Sequence, residues 1–174
     1  MKKQINLRDV ELRDAEIIAN WFNDQNNVQF MSTVVRCLHH TKESVENDIK
    51  NIDLNFERLF IVELENESIG YAGIDDIDFD DKKGEVFVII GDKDQQGKGY
   101  GQQVMKLLLK VAFDELKLNS LFATVTVENK ASSIMLQKSG FKEIGIRREY
   151  NYINGKFVDE IFYDLIRRDY MEGD

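Results

Sequence analysis

Three glycines recur at alternate positions in the run Gln96-Gly97-Lys98-Gly99-Tyr100-Gly101. The run lies between an almost wholly apolar stretch, Glu85 to Ile90, and a longer stretch with helical periodicity. Such a turn suits a phosphate. Glycine lets backbone N–H groups approach an anion closely, and the N-terminus of the following helix adds the positive end of its dipole. Lys98 adds charge at the rim. Two common phosphate loops fail on spacing. A P-loop needs G-x-x-x-x-G-K-[ST]; here Gly91 stands one residue too far from Gly97-Lys98, and Gly99 takes the place of the magnesium-binding Ser or Thr. The dinucleotide fingerprint needs G-x-G-x-x-G, and the glycines here do not have that spacing.

Other reactive residue types carry less. Cys37, His39 and His40 are all the cysteine and histidine of the chain. A structural zinc takes four ligands, so no metal is expected, and adjacency in sequence does not supply the geometry of a catalytic Cys-His pair. The acidic run Asp75 to Asp81 lacks the glycine and distal glutamate of a calcium loop. It reads as a solvated hairpin connection that could attract a polycation.

The elements that must position the turn follow from periodicity. Ile5 to Val10 alternates as a strand, and Ala15 to Phe22 has helical spacing that is ended by Asn23 to Asn27. Thr41 is a plausible N-cap for a helix reaching about Ile52. Leu59 to Leu64 and Ser68 to Ile77 form a hairpin through Glu65-Asn66-Glu67. Glu85 to Ile90 reads as a central strand buried on both faces. The next helix has its stripe at Val104, Leu107, Leu108, Val111, Ala112 and Leu116. Leu121 to Val127 is a strand, and Asn129 to Lys138 a short helix stopped by Ser139-Gly140. Phe141 to Arg148 reads as a strand, followed by a hairpin of Glu149 to Ile153 and Phe157 to Leu165 turned by Asn154-Gly155. The pattern is a mixed α/β (α+β) domain, with helices packed on a largely antiparallel sheet, and residues 1–174 read as one domain.

Gln96-Gly97-Lys98-Gly99-Tyr100-Gly101 matches [QR]-x-x-G-x-[GA], the motif of the GNAT N-acetyltransferases. Gly84 to Asp94 resembles that family's central strand and loop, and Val127 to Phe141 its downstream helix ending K-x-G-F. Trp21-Phe22-Asn23-Asp24, Asn154-Gly155-Lys156-Phe157 and Tyr163-Asp164-Leu165 resemble the branch with ribosomal-protein (RimJ/RimL-like), spermidine and amino-sugar acetyltransferases. The resemblance covers nearly the whole chain. It implies a sheet of about seven strands flanked by about four helices, with splayed central strands, and acetyl-CoA as cosubstrate.

The resemblance also implies roles. Val88, Ile89 and Ile90 would hold pantetheine, and Gln95, Gln96, Gly97, Lys98, Gly99, Tyr100 and Gly101 the pyrophosphate. Asn129 and Ser132 would add contacts, Asn129 also serving as a helix N-cap. An alkylamine is protonated at neutral pH, so a base must take its proton. Glu85 is the candidate, with Asp9, Glu11 and Glu63 as substitutes. A backbone N–H near Ile89 or Ile90 would stabilise the oxyanion. Where many relatives carry a proton-donating tyrosine, this chain has Leu136. Ser132 and Ser133 lie one turn earlier and read as solvated or capping serines. The loop between the first two helices would border the acceptor pocket, bringing Trp21, Phe30, Met31, His39 and His40 near substrate. The acceptor is expected to be a small-molecule amine (an amino-sugar nucleotide, polyamine or aminoglycoside). A protein N-terminus and a non-catalytic acyl-CoA-binding module are the alternatives.

The formal net charge of −9 argues against sequence-independent nucleic-acid binding and suits a cationic substrate. No apolar run is long enough to span a bilayer, and the N-terminus lacks the apolar core of a signal peptide. A single cysteine permits no internal disulfide and suits a reducing cytoplasm. A strand edge left exposed in the C-terminal hairpin would let two copies pair as a homodimer.

Overall fold

Seven strands with alternating or continuous apolar patterns join in one sheet, in a computed structural model that describes residues 4–172. They are β1 (Ile5–Asp9), β2 (Arg58–Leu64), β3 (Glu67–Asp78), β4 (Lys83–Ile90), β5 (Ser120–Thr126), β6 (Lys142–Ile153) and β7 (Lys156–Ile166). Their order is β1-β2-β3-β4-β5-β7-β6, and every neighbouring pair is antiparallel except β4 with β5. The hairpin turns form where positive φ is tolerated. Glu65 and Asn66 sit at φ 53° and 71°, and Asn154 and Gly155 at 50° and 80°, the sign pattern of a type I′ turn.

Helices cover both faces. On one face α5 (Tyr100–Lys110) and α6 (Lys130–Lys138) bury Val104, Met105, Leu108 and Leu136 against Val62, Ile74, Val86 and Leu121. On the other, α1 (Ala15–Asn23) and α4 (Lys42–Lys50) bury Ala15, Ile18, Trp21 and Val45 against Ile61. Thr41 caps α4 as expected, accepting from the Ser44 amide. A partly buried ion cluster fixes β1 to α1: the Arg8 guanidinium holds Asp14 at 2.8 and 2.9 Å and Glu63 at 2.8 Å. Burial would raise the Asp14 pKa, but the Arg8 and Glu11 hydrogen bonds win and hold it below its ordinary value.

The structure departs from the sequence reading at four places. The connection after α1 is not simply loop. It holds two short helices, α2 (Gln25–Val28) and α3 (Thr33–Cys37), and α7 (Arg167–Glu172) follows β7, giving seven helices among the described residues rather than about four. Phe141 to Arg148 and Glu149 to Ile153 are not separate strands. β6 runs through both, with a register irregularity between Arg147 and Asn151 where Glu149 takes φ 54° and donates its amide to Asp159. β4 is not buried along its whole length on both faces, because Phe87, Val88 and Ile90 keep partial exposure. The acidic run is not all a solvated connection, since Asp75, Asp76 and Asp78 lie within β3.

Candidate active site

The glycine turn is held from below. The Gln96 side-chain amide donates to Ile90 O at 2.7 Å and to Asn27 Oδ1 at 2.8 Å. Asn27 in turn donates to Gly91 O and Trp21 O. The turn is thereby tied to the end of β4 and to the segment around α2. Gly97 and Gly99 take φ 71° and 82°, and no atom lies within 4 Å of where a Cβ would stand on either. Gly99 is the N-cap of α5 and supplies no side-chain cap. By contrast, α2, α4 and α6 are capped by Asp24, Thr41 and Asn129. The starts of α1 and α3 also lack a side-chain cap, but at α5 the uncapped start coincides with the open glycine turn, which suits an anion. The open cradle, its helix N-terminus and the exposed Lys98 beside it fit a pyrophosphate.

β4 and β5 pair only at Lys83–Ser120, Gly84–Leu121 and Glu85–Phe122. Beyond Glu85 they separate, so along residues 86–90 one edge of β4 has no strand partner from β5. Backbone polar groups on such an edge need other partners, and Val88, Ile89 and Ile90 lie there. Asn129 caps α6 through an Oδ1 contact of 3.2 Å from the Ser132 amide. Leu136 is packed in the core and offers no proton. Ser133 is not the solvated or capping serine read from sequence: it is buried, and its Oγ has no hydrogen-bond partner among the described residues.

Glu85 stands at the apex of the splay, the last residue of β4 paired to β5. Thr124 Oγ1 donates to it at 3.3 Å, while burial raises its pKa above the ordinary glutamate range. Directly opposite, across β3, is Asp75. Burial and then the charges of Glu85 and Asp76 push Asp75 up to about 7. Side chains two apart in a strand share a face, so Phe87 and Ile89 line the same side as Glu85. Tyr71 is opposite Ile89 there, its hydroxyl pKa raised by burial and by Glu57, Asp75 and Asp48. Rings continue outward, from Phe87 to Tyr71 at 5.5 Å, Tyr71 to Phe22 at 5.7 Å and Phe22 to His40 at 5.1 Å.

The remaining candidates scatter. Trp21 is a packing residue rather than part of an open pocket wall: it is buried, and a Cβ on Gly91 would stand 2.2 Å from its ring. Phe30 and Met31 are half-buried after α2, and His39 is exposed. His40 packs edge-on to Phe22 and its ring nitrogen meets Val35 O at 2.9 Å. Of the substitute bases, Glu63 is bound by Arg8, and Asp9 and Glu11 lie at the far edge of the sheet. Among the described residues no group of three or more His, Cys, Asp or Glu is arranged to hold a metal. Sequence reasoning missed Asn27, Thr124, Tyr71, Phe87 and Asp75 as neighbours of the site.

Residues 4–142 match the model of the acetyltransferase (GNAT) domain. The chain belongs to the GNAT acetyltransferase family. It is an N-acetyltransferase, and acetyl-CoA is its cosubstrate. It is similar to the uncharacterised N-acetyltransferase p20 of Bacillus licheniformis, with 26% identity over 97% of this chain and 96% of that one. It is 30% identical to the spermidine N(1)-acetyltransferase of Escherichia coli (strain K12), over 70% of this chain and 65% of that protein. Among solved structures, the spermidine N-acetyltransferase of Vibrio cholerae in complex with CoA and spermine superposes with a TM-score of 0.88. It has 27% identity and covers 97% of this chain and 98% of that one. The splayed pair β4–β5 and the seven-stranded, mostly antiparallel sheet are those of the family.

Proposed function

We propose that this N-acetyltransferase acts on a polyamine of the spermidine or spermine type. The observation that carries the reading is the position of Glu85, at the splay apex on a sheet face walled by Phe87, Tyr71 and Phe22 and flanked by further carboxylates. An aromatic wall shields alkyl segments and attracts ammonium groups through the ring face, while carboxylates supply the counter-charge. The similarity to spermidine acetyltransferases of Escherichia coli and Vibrio cholerae supports the same class. The partial match to a putative ribosomal N-acetyltransferase of Bacillus subtilis, over 58% of this chain, gives no comparable support for a protein N-terminus.

Acetyl-CoA supplies the thioester carbonyl. The chain's own residues do the rest. Amides of residues 97–101 hold the pyrophosphate, with Gln96 and Asn27 bracing the turn from below. The free edge of β4 at Val88 to Ile90 holds the pantetheine arm and donates an N–H to the carbonyl oxygen as charge develops there. Glu85, with its raised pKa, accepts the proton of the incoming ammonium and frees the nitrogen lone pair for attack. The new C–N bond forms as the C–S bond breaks; CoA departs as the thiolate and takes up the second proton that the acetylated nitrogen sheds.

Two coarser readings go with this one. A reducing, acetyl-CoA-supplied compartment such as the cytoplasm suits the exposed lone Cys37, and no described helix is long and apolar enough to cross a membrane. Self-association through β6 is supported by its unpaired outer edge and by exposed Ile144, Ile146, Tyr150 and Tyr152; the Vibrio cholerae relative is described as dodecameric.

The test of the acceptor is acetyl-CoA-dependent thiol release over a panel of spermine, spermidine, an amino sugar, an aminoglycoside and N-terminal peptides. The reading predicts the highest kcat/KM for the polyamines. A higher value for an N-terminal peptide or an amino sugar would replace it, and CoA binding without release on any amine would favour a non-catalytic module.

A further inference from the structure

We infer that Asn27 makes the acceptor wall depend on the occupied glycine turn: its carboxamide, bonded at once to Gln96, Gly91 and Trp21, passes the ordering of the turn by CoA to the end of α1 that carries Phe22. Asn27 is thus a positioning residue. The acceptor half of the inference rests on the reading that the amine meets the Phe22–Tyr71 wall, and the cofactor half does not.

Both carboxamides are fully used. Gln96 Nε2 donates to Asn27 Oδ1 at 2.8 Å and to Ile90 O at 2.7 Å. Asn27 Nδ2 donates to Gly91 O at 3.1 Å and to Trp21 O at 3.2 Å. A side-chain amide has two N–H donors, so neither nitrogen has one to spare and each amide is fixed in orientation. One network thereby joins the end of β4, the glycine turn and the junction of α1 with α2. An ion pair between Lys93 and Asp24, at 2.7 Å, runs parallel to it on the surface.

The network is conditional on the turn. Gly97 and Gly99 lie at φ 71° and 82° with no atom within 4 Å of a Cβ position, so no packing holds them. Gln96 is exposed, and in the empty turn water competes for its hydrogen bonds. A pyrophosphate on the amides of residues 97–101 removes the freedom that the glycines keep. Gln96 is then held, and Asn27 with it. Beyond Asn27, the Trp21 carbonyl leads directly into Phe22, whose ring meets Tyr71 at 5.7 Å and His40 at 5.1 Å. Asn23 adds a tie there, exchanging two hydrogen bonds with the His40 backbone at 2.7 and 2.9 Å. An amine that binds after CoA meets a wall already ordered, so it loses less freedom on binding. By linkage, CoA binds more tightly when the amine is present.

Two measurements test this. The first uses CoA alone and needs no acceptor. Saturating CoA should slow amide hydrogen exchange across residues 21–28 in the wild type, and should not slow it in Asn27→Ala or Gln96→Ala. The second is calorimetric titration of spermine with and without CoA, a pair that cannot react. CoA should tighten spermine about 5-fold or more in the wild type. In either variant, and in the double variant, the factor should fall below about 2, because all three cut one network. Lys93→Ala, which cuts only the surface ion pair, should keep the wild-type factor. No slowing of exchange in the wild type, or equal slowing in Asn27→Ala, overturns the inference. So does coupling that survives in Asn27→Ala, or that Lys93→Ala abolishes. A lower melting temperature with coupling intact would mean a purely structural role for Asn27, which also overturns it. If spermine binds no form of the protein, the polyamine reading fails; the exchange measurement still decides the role of Asn27, and the amine turned over best replaces spermine in the titration.

Discussion

Asp75 binds its proton more tightly in the folded chain than in the unfolded one, because the native fold buries it beside Glu85. Its raised pKa is therefore a stability term with a definite sign. At pH values below the ordinary aspartate range both states hold the proton and the term vanishes. As pH rises from about 4 towards 7, the unfolded chain has already lost the proton and the folded one has not, so stability falls. Above about 7 the full penalty is present. Replacing Asp75 with Asn removes it. The variant's gain in unfolding free energy should grow across this window and level off above it, reaching at most about 4 kcal/mol at pH 8 and clearly less at pH 5. Thermal unfolding at both pH values checks this. A variant equally destabilised at both would show that Asp75 carries no native-state charge burden. Such a residue, costly to the fold and kept beside the candidate base, is the usual signature of a functional position. Nothing in the acidic run itself marks it. Asp75 and Asp76 look alike in sequence, and only the pairing of β3 with β4 puts Asp75 opposite Glu85 while Asp76 falls at the bulge.

At the scale of elements, the turn into α5 depends on what is missing from it. Gly99 leaves the helix uncapped and lies at φ 82°. Gly99→Asp would offer α5 a capping carboxylate but put a negative charge where the pyrophosphate is to bind. CoA affinity should drop by about 10-fold or more, with the melting temperature little changed because a cap offsets the strain of the left-handed backbone. Isothermal titration with CoA measures it, and unchanged affinity would mean that the pyrophosphate does not use this turn. Several elements were legible because their signals are local: the Thr41 and Asn129 caps, the Asn154-Gly155 turn and Gly140 at φ 93° after α6. The two short helices α2 and α3 were not legible, because four or five residues carry no apolar period. Gln96 was legible as a motif residue, but its use was not. Its side chain braces the turn through Ile90 O and through Asn27, which is 69 residues away in sequence.

For the whole molecule, the cofactor half of the site is built from consecutive residues and the acceptor half is not. β4, the glycine turn and α5 follow one another along the chain, so motif and periodicity reveal them together. The acceptor face draws Phe22 from α1, Tyr71 and Asp75 from β3, Phe87 from β4 and Thr124 from β5. Only the sheet order brings these together, which is why residues near the N-terminal loop, such as His39 and Trp21, stood in for them in the sequence reading. The two halves meet at one residue, Glu85, where β4 and β5 part. The most direct measurement is therefore amine-dependent turnover by Glu85→Gln, followed from pH 6 to 9 beside its affinity for CoA. Loss of the base should lower kcat by roughly 10²–10³-fold while CoA binding is retained. Full activity of Glu85→Gln across that range would contradict the assignment of the acceptor's proton to Glu85.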